Sequence, residues 1–296
     1  MPSEEWAQER ESLLQWIDSQ IATPGGVLLL VVVGALFLGA LLLTAFLLAQ
    51  LGRRARAVSL PAPTWQGIDL LACLLGWLFV QILAHQVAAL LAPSLPGIET
   101  ELRIVCQGLA SLAYCAVLLA LPLYRGQPIV ALGIGSDTVG SGLFQGIIVW
   151  ACAIPGLFAT LIGTHLVFLL LGVEPDRQEA VELFQGSISR REVALAIALL
   201  GFAIVVAPLL EEILFRAILY RWLAARFGVV AGATLSGLLF GLVHGSFSAL
   251  LPIALLGILL ALLLERTGNL WSCVALHSVF NAGQLTLMLV LGDAAR

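Results

Sequence analysis

The residues of this chain that could do chemistry stand inside apolar sequence, where charge is expensive. The stretch Ala207-Pro208-Leu209-Leu210-Glu211-Glu212-Ile213-Leu214-Phe215-Arg216 carries three ionisable groups. An ionised group at the centre of a membrane helix costs about 2.5–3.5 kcal/mol, so such groups mark function by default. Three unpaired charges would cost on the order of 7–10 kcal/mol. Helical spacing relieves part of this, because Glu212 and Arg216 are i,i+4 neighbours and can pair. Glu211 sits about 100° around the same helix and lacks that partner. A purely architectural ion pair accounts for Glu212 and Arg216 but leaves Glu211 unexplained, and an unpaired carboxylate in an apolar setting suits a general base.

Two later stretches supply histidines. Phe240-Gly241-Leu242-Val243-His244 closes one apolar run, and His277-Ser278-Val279-Phe280-Asn281 lies within the last one. His277 and Asn281 are i,i+4 and project from one helix face, so both can address one cavity. His165 has no acidic or amide partner at helical spacing and His85 has no acidic one, only Gln81 at i−4, and both read as packing residues. A carboxylate, two imidazoles and an amide suit hydrolysis of an amide by an activated water. Either a metal held by His and Glu carries the water, or Glu211 and one His activate it directly while the second His and the Asn bind an oxyanion. No GxSxG or HExxH motif is present, so a serine hydrolase or a zincin is not supported.

The elements that must position these groups are membrane helices. Of 296 residues, 60% are hydrophobic and 11% charged, less than half the ~25% charge of soluble domains. The mean hydropathy of +1.05 agrees. A soluble enzyme, a disordered chain and a secreted disulfide scaffold are excluded, leaving an all-α, polytopic transmembrane bundle. All 14 basic residues are Arg, the net charge is -4, and no basic stripe exists, which argues against nucleic acid as a partner. Cys73, Cys106, Cys115, Cys152 and Cys273 are scattered singly and read as small helix residues.

Apolar runs predict eight spans at 26–51, 67–92, 102–124, 143–172, 193–227, 229–245, about 249–264 and 270–291. Pro208 predicts a kink in the fifth. Residues 1–25 are acidic and mildly amphipathic, without the basic start of a cleaved signal peptide. The polar stretch 173–192 is the longest internal loop. With eight spans, Arg53, Arg54, Arg56, Arg125, Arg221, Arg226 and Arg266 fall on one side, which the positive-inside rule makes cytoplasmic, so both termini lie outside. Arg103, Arg177, Arg190 and Arg191 fall on the opposite side, so the bias is modest.

The order EExxxR, FxxxH, HxxxN, each in an apolar helix, resembles the CPBP intramembrane proteases, which comprise the type II CAAX prenyl endopeptidases and the bacterial Abi (bacteriocin-processing or immunity) proteins. The motifs here are Glu211-Glu212-xxx-Arg216, Phe240-xxx-His244 and His277-xxx-Asn281, and Glu265-Arg266-Thr267-Gly268-Asn269-Leu270-Trp271 resembles the family's turn before the last motif. The resemblance covers 193–291, a protease core of about four helices; residues 1–172 form a four-span N-terminal region that contributes only its helix count.

Carried over, the resemblance implies that Glu211 and His244 activate the water, that Glu212 and Arg216 support the site, and that His277 and Asn281 stabilise the oxyanion. Ala217 stands where members often have Gly, a near substitute. The family is historically labelled metalloprotease, so zinc is one option, held by Glu211, His244 and His277. The metal-free version is preferred, because only two histidines converge and Asn is a poor zinc ligand. The expected activity is endopeptidase cleavage of a membrane-associated protein or peptide, a prenylated CAAX-type one included, in a bacterial plasma membrane, with lipid and substrate as partners. The alternative is a non-catalytic scaffold or immunity protein on the same fold. A transporter would need a second broken helix beside the one at Pro208.

Overall fold

The computed structural model describes residues 3–53, 60–135, 138–176 and 179–294. Among them the regular structure is helical. The N-terminal half runs α1 (Glu4–Ile21), α2 (Pro24–Arg53), α3 (Gly67–Leu91), α4 (Glu99–Tyr124), α5 (Val139–Leu171) and α6 (Glu179–Ser189). Residues 193–227 then form one continuous rod: α7 (Val193–Gly201), a π-helical turn over Phe202–Val206, α8 (Ala207–Glu211), a longer π-helical stretch over Glu212–Tyr220, and α9 (Arg221–Phe227). It is followed by α10 (Val229–Val243), α11 (Phe247–Thr267) and α12 (Leu270–Ala294).

Six of these rods are long and apolar enough to cross a membrane: 24–47, 67–94, 99–124, 139–171, 193–227 and 247–267. The shorter apolar α10 and the 25-residue α12 bring the number of passes to about eight. The chain is an integral, multi-pass membrane protein. One stretch differs from the sequence expectation. Residues 173–192 contain α6, whose Phe184 is buried against Leu195 and Leu199 of α7, an apolar anchor that the polar composition hides. Residues 1–25 contain α1, a helix of its own, capped by the Ser3 hydroxyl, which accepts from the Trp6 N–H.

The bundle is built around α11, whose apolar window is 61% buried, against 6% for α2. α2 is the least buried of the six spans and packs on α5 through Phe37 and Thr44. Without a hydrophobic drive between helices in lipid, close packing needs small residues at the crossings. Gly237 of α10 meets α11 so closely that a Cβ would stand 2.7 Å from the Ala254 carbonyl oxygen. Gly146 of α5 meets α12 in the same way, 2.4 Å from the Ser272 carbonyl oxygen.

Hydrogen bonds group the connections at two ends of the bundle. At one end the Arg221 guanidinium donates to the Pro61 and Ala131 carbonyls, Thr64 Oγ1 donates to the Arg125 carbonyl at 3.2 Å, and the Leu270 N–H donates to the Gly133 carbonyl at 2.9 Å. At the other end Ser3 binds Glu174 through its N–H (2.7 Å) and hydroxyl (2.8 Å), and the Phe247 and Ser248 N–H groups both donate to Asp176 at 2.9 Å.

Candidate active site

The 193–227 rod places the acidic pair. Pro208 has no N–H, and the π-helical turn before it takes up the loss without breaking the rod. The Ala207 N–H reaches back to the Phe202 carbonyl, so the Ala203 carbonyl, which would next accept from residue 208, has no donor in its own helix. Asn281 Nδ2 from α12 donates to it at 2.8 Å. The expected proline kink is thus a π-helical turn stitched to the last span by a site residue.

Every residue from Glu212 to Tyr220 is buried. Glu212 and Arg216 pair as their spacing predicts, Nε to Oε2 at 3.2 Å, with both side chains fully enclosed. The guanidinium lies 4.0 Å over the Phe240 ring, a cation–π contact in a dry setting. The other Glu212 oxygen, Oε1, lies 2.8 Å from His277 Nδ1. A carboxylate so paired accepts, so His277 Nδ1 carries the proton.

His244 is fixed by the way α10 ends. The last carbonyls of a helix lack intrahelical donors. Here the His244 N–H turns to Gly241 and the Gly245 N–H to Leu242, with Gly245 at φ +69. That leaves the Phe240 carbonyl to the His244 side chain, whose Nδ1 lies 2.7 Å away. A carbonyl only accepts, so Nδ1 bears the proton and Nε2 of the neutral ring presents a lone pair. The Phe240 ring sits edge-on to both imidazoles, with centroids 4.6 Å from His244 and 5.6 Å from His277. Phe240 therefore braces three charged or titratable groups at once, a role that its place in a motif does not disclose.

Glu211 is not left alone as its own helix suggests. Its Oε2 stands 3.7 Å from His277 Nε2 and 4.0 Å from His244 Nε2. Its side chain is 21% exposed, where that of Glu212 is 0% exposed, so of the two carboxylates only Glu211 is open to a substrate. The six site residues read from the sequence thus converge from three segments of the C-terminal region.

Four of them, Glu211, His244, His277 and Asn281, line a cavity of about 790 Å³ among apolar side chains such as Phe202, Phe280 and Leu256, while Glu212 and Arg216 lie enclosed behind it. The N-terminal region also reaches it. Ser3 and Trp6 of the α1 end, Glu174 and Asp176 line it too, and Arg10 Nε ties α1 to the Leu169 carbonyl at 2.8 Å. His165, read as a packing residue, lines the same cavity and meets the Trp6 ring edge-on at 5.6 Å. No local spacing signals this, because its partner lies in another helix far along the chain. His85 is exposed and away from the cavity. Ala217 is fully buried, so the methyl in place of Gly is accommodated.

Among the described residues no group of three or more His, Cys, Asp or Glu side chains is placed to hold a metal ion. The expected zinc set of Glu211, His244 and His277 does not close to ligand spacing, since ligands about 2.0–2.2 Å from one ion cannot stand as far apart as the 4.0 Å from Glu211 Oε2 to His244 Nε2 without wide angles.

A family model matches the segment that carries these residues. Residues 193–283 match the family described as Type II CAAX prenyl endopeptidase Rce1-like. A Bacillus subtilis (strain 168) protein named "Putative membrane peptidase YdiL" is 32% identical over 77 residues, which is 26% of this chain and 32% of that relative. The chain thus spans about a third of the curated relative it matches. No solved structure matches.

Proposed function

We propose that this chain, whose residues 193–283 form an Rce1-like domain, is an intramembrane endopeptidase that hydrolyses a peptide bond of a membrane-associated protein or peptide through a water activated by Glu211 and His244. A prenylated CAAX-type C-terminus is one substrate class for such a site. One observation carries the reading: a partly exposed carboxylate oxygen faces two imidazole Nε2 atoms at 3.7 and 4.0 Å on the wall of an apolar cavity. Those gaps are too long for direct hydrogen bonds and suit a water that touches both sides.

In this mechanism the water gives its proton to Glu211 while His244 Nε2 accepts its second hydrogen bond. The oxygen attacks the scissile carbonyl carbon, and the carbonyl becomes an oxyanion. The N–H of Asn281 not used on Ala203 can donate to that oxyanion. His277 can donate through Nε2 only as the imidazolium, since Nδ1–H is committed to Glu212; the Glu212 carboxylate then balances its charge. Collapse of the intermediate breaks the C–N bond as Glu211 returns the proton to the leaving amine. A positioned base is worth typically ~10²–10⁴-fold, and each oxyanion donor about 10²–10³-fold.

The test is cleavage by the purified full chain of a panel of lipidated and unlipidated peptides, with and without chelator. Glu211→Gln and His244→Ala are expected to lose at least about a hundredfold in rate with helix content unchanged. Wild-type cleavage in both variants overturns the mechanism. A protective or binding phenotype that survives Glu211→Gln points instead to a non-catalytic scaffold.

A further inference from the structure

One face of α1 lies against the cavity. Ser3, Trp6 and Glu9 all line it, and a spacing of three residues puts them on the same side of the helix. Ser3, Glu174 and Asp176 are exposed and mark the mouth, whereas Trp6, one turn further along, is 5% exposed. Among the described side chains of α1 it is the single buried one. Its ring meets His165 of α5 edge-on, so the indole is set into the cavity wall while the rest of α1 stays outside it.

The dock that holds α1 there is local and polar. Ser3 gives its N–H and its hydroxyl to Glu174, at 2.7 and 2.8 Å. Arg10 Nε donates to the Leu169 carbonyl at 2.8 Å, at the C-terminal end of α5, where the last carbonyls carry partial negative charge. All these groups lie outside residues 193–283, so the dock belongs to the N-terminal region of this chain. Hydrogen bonds that water can replace add little net stability. The Trp6 indole N–H is also buried without an acceptor among the described residues. A helix held by one aromatic ring and a few such bonds opens more readily than a packed crossing.

The joint behind it is short. Only Ala22 and Thr23 separate α1 from α2. Gly26 stands so close to α1 that a Cβ there would lie 2.3 Å from the Gln20 carbonyl oxygen and 2.7 Å from the Gln20 Cα. The docked angle of α1 therefore needs glycine at 26. Its neighbour Gly25 has nothing within 4 Å.

We infer that α1 is a hinged lid on the cavity: it pivots over residues 22–26, and its release from the end of α5 admits a polypeptide to Glu211. The lid stands on this geometry alone, and the polypeptide rests on the peptidase reading.

The first arm of the test is thiol labelling of the purified full chain in detergent. Gln284 lines the cavity one turn beyond Asn281. Gln284→Cys is reacted with fluorescein maleimide, and the unaltered chain sets the background of its five native cysteines. The rate at a site behind a lid scales with the open fraction, and a minor state is typically ~0.1–10% populated, so Gly26→Ala should raise it about tenfold or more. Gly25→Ala should leave it unchanged. Cys73, Cys115 and Cys273 are buried and outside the cavity, and they report any general loosening. A rate at Gln284→Cys unmoved by Gly26→Ala, an equal rise in Gly25→Ala, or an equal rise at the buried native cysteines overturns the inference.

The second arm reads cleavage of a long and a short quenched fluorescent peptide. In Gly26→Ala, kcat/KM for the long peptide should rise by about the factor seen in labelling, with kcat for the short one unchanged. No change in the long peptide overturns the inference, and so does a fall, which would assign α1 to binding the substrate instead of admitting it. If labelling follows the expected pattern and neither peptide is cleaved, the peptidase reading fails and the lid stands.

Discussion

Glu212 Oε1 and His277 Nδ1 meet at 2.8 Å across 65 residues of chain, with both side chains closed off from solvent. This bond joins the 193–227 rod to α12 beside Glu211. It divides the adjacent glutamates between two tasks. Glu212 uses one oxygen for His277 and the other for Arg216, while Glu211 is left facing the cavity.

The two glutamates should therefore fail differently. Breaking a buried ion pair by removing one partner typically costs about 3–5 kcal/mol, since the other charge is stranded. Glu212→Gln is expected to lower thermal stability by an amount in that range and to reduce cleavage as His277 loses its acceptor. Glu211→Gln, at a partly exposed position, should leave the melting temperature near wild type and abolish turnover. Melting curves and initial rates on the same preparations check this. Equal destabilisation by the two substitutions would contradict the division.

A second expectation concerns the end of α10. Gly245 adopts φ +69, and nothing stands within 4 Å of where its Cβ would be. Gly245→Ala thus isolates the backbone cost, about 1–2 kcal/mol for an L residue in the left-handed region. If the turn relaxes to relieve it, the Phe240 carbonyl no longer holds His244 Nδ1. The expected result is a fall in kcat larger than the change in KM, read from steady-state rates. Unchanged kcat would show that this turn does not orient His244.

Much of the site was legible because charge is scarce here. Glu211, Glu212 and Arg216 stand out inside an apolar rod, and the i,i+4 rule predicts the pair that forms. Local spacing also puts His277 and Asn281 on one face, and both line the cavity. Periodicity could not show the partners from other helices: Glu211 facing two imidazoles, Phe240 bracing both rings, or His165 meeting Trp6. Those depend on how helices cross, which is set by close approaches such as Gly146 and Gly237 that read in sequence as ordinary glycines. Residues 173–192 were opaque for another reason. Phe184 and Leu183 pack one side of a short helix that sits in a stretch otherwise dominated by charged and polar residues.

The α5–α12 crossing gives a further prediction. A Cβ at Gly146 would stand 2.4 Å from the Ser272 carbonyl oxygen and 2.8 Å from the Leu276 N, both backbone atoms unable to swing aside. Gly146→Ala must move α12 one residue before His277, with an overpacking cost of about 1–3 kcal/mol. Gly140 on the same helix has nothing within 4 Å, so Gly140→Ala should be neutral in both stability and activity. If both variants behave alike, that crossing does not position His277.

Outside the spans, Asp176 responds to pH. Burial opposes its ionisation, but hydrogen bonds from Ser248, Ser246 and Phe247 outweigh it and hold the carboxyl below its ordinary value of 3.8. A depressed folded value means that its stabilisation is fully present above the ordinary Asp range and is lost as pH falls through the lower, folded value. Protection of the Phe247 and Ser248 amides, taken relative to the intrinsic exchange rate at each pH, should hold from neutral pH down to 3.8 and fall only below it. In Asp176→Asn the exchange should be faster at neutral pH and lose this acid step. An acid step that persists in Asp176→Asn would assign it to another group.

The stitch between Asn281 and the rod can be separated from any role of Asn281 in catalysis by measuring stability. Asn281 Nδ2 donates at 2.8 Å to an Ala203 carbonyl left without a helical donor, because the Ala207 N–H is used on Phe202 and residue 208 is proline. Asn281→Leu should cost about 1–3 kcal/mol by orphaning that carbonyl. Pro208→Ala restores an N–H at the position that follows in the π-helical register. In that background Asn281→Leu should cost markedly less, with a coupling of about 0.5 kcal/mol or more between two residues that lie in different helices. The measurement is a double-mutant cycle of unfolding in detergent. Additive costs would mean that the proline does not create the vacancy Asn281 fills, and that the π-helical turn is held by packing alone.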